Sequence, residues 1–208
     1  MKTILRELVE HAPFTAIGAV TGIITMVVLV LTKTTQIVSE GLFHITHPAH
    51  VLLSCLVTTA MYRKYGKGGA IKAFIIGYVG SIGPATISDI FIPYLGGMLL
   101  GIKMELHLPF IETEPMHFIG LPVWFVINAA AVVGILIGYL KPQTRFPHAT
   151  HVLLSTWASL FSFTAYGVAN WMPLLFPIFI FLFISVWLPC CFSDIVFPLM
   201  WGVKEHTD

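Results

Sequence analysis

The chain has 208 residues, 57% of them hydrophobic and 10% charged, with a net charge of +1 and a mean hydropathy of +0.88. Soluble domains carry about 25% charged residues, so this composition excludes a soluble globular protein and predicts an all-α integral membrane protein with the lipid bilayer as its first partner. The balanced charge provides none of the basic excess that nucleic-acid binding requires.

In chain order, residues 1–11 mix Lys2 and Arg6 with Glu7 and Glu10 and precede no small-residue cleavage site. They predict a short amphipathic interfacial helix, not a signal peptide. Apolar stretches come next at residues 14–38, 51–61, 73–102, 118–140, 152–169 and 172–201. A helix needs about 20 residues to cross the hydrocarbon core, so these predict six transmembrane helices. The second stretch is long enough only if its helix takes in His47 and His50. The third and sixth are the longest, and Gly83-Pro84 and Pro189 punctuate them, which predicts two broken helices. Lys2, Arg6, Arg63, Lys64, Lys67, Lys72, Lys141, Arg145 and Lys204 fall on one side of this topology, and Lys33 and Lys103 on the other. That asymmetry predicts a multi-pass protein of the cytoplasmic (inner) membrane with both termini in the cytoplasm.

The chain repeats itself. His-x-x-His-Val-Leu-Leu-Ser begins at His47 and again at His148, 101 positions later. At an offset of 105, Pro84, Ser88-Asp89-Ile90, Pro93 and Gly97 recur as Pro189, Ser193-Asp194-Ile195, Pro198 and Gly202. Residues 1–104 and 105–208 therefore read as two copies of one unit within a single membrane domain. Three helices per copy force the second copy to insert upside down, an inverted-topology repeat. The arrangement resembles that of several small transporter superfamilies, although none of their signature motifs is present.

Residues three and four apart share a helix face, so His47, His50 and Ser54 line one stripe and His148, His151 and Ser155 line its counterpart. Two imidazoles so spaced, with a carboxylate from a neighbouring helix, form a donor set for a divalent cation. Helix rise places Asp89 about 5 Å from the midplane, where an unpartnered carboxylate is costly. Two separate clusters are expected, one per leaflet. The outer one comprises His47, His50, Asp89 and His117, and the inner one His148, His151, Asp194 and His11. Ser54, Ser155, Ser88 and Ser193 are accessory residues, and Cys190 and Cys191 would soften the inner cluster toward zinc or copper. His44, His107 and His206 read as surface residues. Each Asp can instead cap a helix segment, but recurrence of the whole set in both copies favours metal binding.

The leading reading is a divalent-metal transporter or channel for zinc or iron(II). Imidazole binds metal only when neutral, which makes protons a second partner. Homo-oligomerisation is compatible with the sequence. The first alternative is an intramembrane metal-dependent hydrolase or oxidase acting on lipid or quinone. The combination of His, Ser and Asp is similar to that of ceramidase-like zinc hydrolases, which have seven helices and a single site. The second alternative is a membrane electron carrier with two b-type haems, in which His50 with His117 and His151 with His11 would be the axial pairs.

Overall fold

The computed structural model describes residues 2–66, 68–116, 120–142 and 145–201, without the side chains of residues 2–11, 35 and 145–149. The described chain is helical almost throughout. Its long helices are α1 (Lys2–Leu31), α2 (Thr35–Tyr65), α3 (Ala70–Leu99), α4 (Val123–Leu140), α5 (Arg145–Tyr166) and α6 (Met172–Met200). The expected amphipathic segment at the start is no separate element, because α1 runs unbroken from Lys2 through Pro13. The second helix does take in His47 and His50.

Four of these helices are long and apolar enough to cross a membrane: α1 from Ala12, α3, α4 and α6. Their solvation is the reverse of a soluble protein's. Phe14, Ile17, Val20, Ile24 and Val28 form an exposed apolar stripe along α1, while Ser54, Ser88, Asp89, Ser155, Ser193 and Asp194 are buried. In water such a stripe would be a liability; against lipid chains it is the solvated face.

The two more polar helices occupy the centre. α2 packs along α5 and α4, and α5 packs along α1 as well. Close approach comes from paired small residues, as is common between helices in lipid. A Cβ at Gly134 would collide with the Leu52 carbonyl, and one at Gly138 with the Leu56 carbonyl, so α4 lies directly on the α2 backbone. Gly18 and Gly22 of α1 face Thr156 and Leu160 of α5 in the same spacing.

The breaks expected at Pro84 and Pro189 take another form. α3 and α6 continue past these prolines without interruption, but each loosens into one π-helical turn, Ile87–Phe91 in α3 and Phe192–Val196 in α6. Within them the Ile92 amide donates to the Ile87 carbonyl and the Phe197 amide to the Phe192 carbonyl. The next donors in that register would be Pro93 and Pro198, which have no N–H. The Ser88 and Ser193 carbonyls are thereby left to groups outside their own helix.

At one end of the bundle, β1 (Lys103–Met104) pairs antiparallel with β2 (Gly167–Val168), tying the loop after α3 to the end of α5. The same loop is fastened to the start of α4 by the Trp124 amide, which donates to the Glu112 carbonyl at 3.0 Å. This loop thus folds over the end of the bundle where α2 begins.

Candidate metal centre

The π turns place a carboxylate where a regular helix would not. An extra residue in such a turn rotates the next stretch of helix about its axis, and π turns recur at functional sites for this reason. Asp89 and Asp194 sit in the middle of the two turns, and both are fully buried. Facing them, α2 presents His47, His50, Ser54 and Thr58 on one stripe, and α5 presents His151, Ser155 and Ser159.

Asp89 has partners on three helices. Its Oδ2 lies 2.8 Å from His47 Nδ1 and 2.6 Å from His50 Nδ1. Its Oδ1 accepts hydrogen bonds from Ser88 Oγ at 2.6 Å and Ser155 Oγ at 3.0 Å. Such charge-assisted bonds are about twice as strong as neutral ones, and they offset the cost of burying the charge. Asp194 has a matching contact, with Oδ2 2.9 Å from His151 Nδ1.

The hydroxyls cross between the two halves in matched pairs. Ser54 Oγ is 3.0 Å from Ser193 Oγ, and Ser155 Oγ is 3.2 Å from Ser88 Oγ. Thr58 Oγ1 donates to the Ser193 carbonyl at 3.1 Å, and Ser159 Oγ donates to the Ser88 carbonyl at 2.9 Å. These are the two carbonyls that the π turns and the downstream prolines leave open. A further freed carbonyl, that of Gly80 one turn before Pro84, accepts from Ser193 Oγ at 2.6 Å. The polar seam between α2 and α5 thus answers the irregularities of α3 and α6 almost bond for bond.

Two separate clusters are expected from the sequence, and among the described residues His47, His50 and Asp89 of the first are brought together. His50 and His151 stack on one another, with ring centroids 4.8 Å apart and planes 25° from parallel. Two donor sets therefore adjoin: His47, His50 and Asp89, and then His50, His151 and Cys190. Within each, one donor atom per residue lies within 4.8 Å of the others. A tetrahedral cation with bonds of about 2.0–2.3 Å needs them only slightly closer. The donors are of mixed kind, with imidazoles in both sets, a hard carboxylate oxygen in one and a soft sulfur in the other. The Nδ1 atoms of His47 and His50 are both turned toward Asp89 Oδ2, so the carboxylate orients the two imidazoles as well as counting among the three candidate donors. His117 lies outside the described residues, as do the side chains of His11 and His148. Cys191 borders an apolar groove of about 570 Å³ between the Pro84 and Pro189 regions, away from this donor set.

The sequence suggests surface positions for His44 and His107, and both are drawn inward. His44 is buried, and its Nε2 lies 3.4 Å from His107 Nε2. His107 Nε2 in turn lies 2.8 Å from Glu112 Oε2. Burial, and then the neighbouring His44 and His47, hold the His107 ring down to about 4, while burial and the nearby Glu114 and Glu40 push the Glu112 carboxyl up. Phe43 stands between this group and the buried centre, stacked on His47 with centroids 5.2 Å apart and edge-on to His107. The signal that could have found His44 is its place on the His47 face of α2, one turn earlier.

No protein-family model, no curated protein and no solved structure matches this chain.

Proposed function

We propose that the protein is a divalent-cation transporter or channel whose ion passes through a single buried centre built by both halves of the chain. The observation that carries this reading is the sharing of His50 by two adjoining donor sets, one with His47 and Asp89 and the other with His151 and Cys190. A resident structural metal needs one closed set of ligands. Two overlapping sets of similar composition allow an ion to be passed from one to the next without being stranded in the apolar interior.

In this reading α2 and α5 also cross the bilayer, giving six crossings. Their polar stripes, which lower their hydropathy, face each other and not the lipid. The matched hydrogen bonds of Ser54 with Ser193 and of Ser155 with Ser88, together with the two π turns at equivalent places, support an inverted repeat. The ion would arrive on the side of the loop containing His107, taken as the outer side because few Lys and Arg lie there, and leave past Asp194 toward the cytoplasm. Because imidazole must be neutral to ligate, ion binding displaces protons. Zinc and iron(II) suit the mixed nitrogen, oxygen and sulfur donors.

Elemental analysis and a visible spectrum of the purified protein, for wild type and for His50→Ala and Asp89→Ala, test this. Exchangeable zinc or iron that both variants lose supports the reading. A Soret band would establish haem instead, and tightly held stoichiometric metal without ion flux would establish a structural or catalytic site.

A further inference from the structure

We propose that His44, His107 and Glu112 form a second divalent-cation site, separate from the buried centre, that captures the ion at the mouth of the protein. Their donor atoms lie within 4.8 Å of one another, and two imidazoles with one carboxylate is the donor chemistry of catalytic and exchangeable zinc sites, which leave a coordination position open.

The surroundings are those of a capture site. His44 is buried at the start of α2, whereas His107 and Glu112 are 17% and 24% exposed on the loop that folds over it. One ligand is therefore fixed by the bundle and two belong to partly exposed residues of the loop. Tyr166 stacks flat on His107, with centroids 4.3 Å apart and planes 18° from parallel, which sets the orientation of that ring. The loop is itself held by the strand pairing at Lys103–Met104 and by the Glu105 amide, which donates to the Tyr166 carbonyl at 2.8 Å. His44 and His47 are three positions apart on α2, a rise of about 4.5 Å, so an ion leaving this site is one helical turn from the next imidazole. The acidic groups of the same loop, Glu105 and Glu114, raise the local cation concentration. The site is complete in itself and stands whether or not the buried centre transports.

Equilibrium dialysis of the detergent-solubilised full chain against Zn²⁺, with elemental analysis, tests the proposal on wild type, His107→Ala, Glu112→Gln and His50→Ala. Each of the two loop variants should bind one Zn²⁺ fewer per chain than wild type and retain the ion that His50→Ala loses. His50→Ala should retain the ion that the loop variants lose. Wild-type stoichiometry and affinity in both loop variants would overturn the proposal, as would loss of every ion from both, since the site would then not be separate. If His50→Ala binds like wild type while the loop variants lose an ion, the buried centre fails and this site stands.

Discussion

His50 and His151 occupy the same place in the two copies, 101 positions apart in the chain, and their rings stack at 4.8 Å. Each is turned by its Nδ1 toward the carboxylate of its own half, at 2.6 Å for Asp89 and 2.9 Å for Asp194. The contact adds to the hydroxyl bonds that already join the polar networks of the two halves, and a cation bound there would have ligands from both.

Asp89 both balances charge and orients two imidazoles, so its charge should matter more than its shape. Asp89→Asn is expected to weaken Zn²⁺ binding at the buried centre by about 10- to 100-fold, the usual loss when a carboxylate partner of a ligating histidine is removed. Titration against a chelator of known affinity measures this. Unchanged affinity would show that Asp89 is only a structural cap.

The π turns depend on hydroxyl groups from the opposite half. Removing the donor leaves a buried carbonyl without a partner, which costs about 1–3 kcal/mol. Thr58→Val and Ser159→Ala should each lower stability by this amount, and Thr58→Ser should restore most of it, as read from unfolding curves in detergent. Equal stability of all three variants would mean that the Ser88 and Ser193 carbonyls are satisfied in another way.

Phe43 stands between the outer histidines and the buried centre. Phe43→Leu keeps a side chain of similar volume but loses the flat stacking on His47. It is expected to speed release of Zn²⁺ from the buried centre at least several-fold with little change in affinity, measured by stopped-flow capture with a chelator. An unchanged release rate would mean that the ion does not pass Phe43 between the outer histidines and the buried centre.

Much of this arrangement is legible in the sequence, and the departures have physical causes. The repeated His-x-x-His and Ser-Asp-Ile strings mark the residues that meet, because a helix face is fixed by spacing. Their convergence is not legible from topology alone, because the order of the helices does not say how closely two polar faces approach across the bundle. The structure shows it directly in the stacked rings of His50 and His151. The π turns look like breaks in the sequence because proline signals a lost amide donor but not how the neighbouring carbonyls will be satisfied. His44 reads as a surface residue because Arg145 stands opposite it in the repeat, and its partners, His107 and Glu112, come from a loop that no periodicity describes. The Gly-x-x-x-Gly spacings at Gly18 and Gly22 and at Gly134 and Gly138 are visible in the sequence, but only the structure shows that they seat α1 on α5 and α4 on α2.

The most direct test of the central claim is Zn²⁺ flux into liposomes containing the purified protein, monitored with an entrapped fluorescent indicator. Wild type should carry Zn²⁺ inward, His50→Ala should reduce the flux to that of empty liposomes, and Ser54→Ala, which leaves the ligands in place, should retain most of it. Flux in His50→Ala equal to wild type, or no flux in wild type above empty liposomes, would contradict the account.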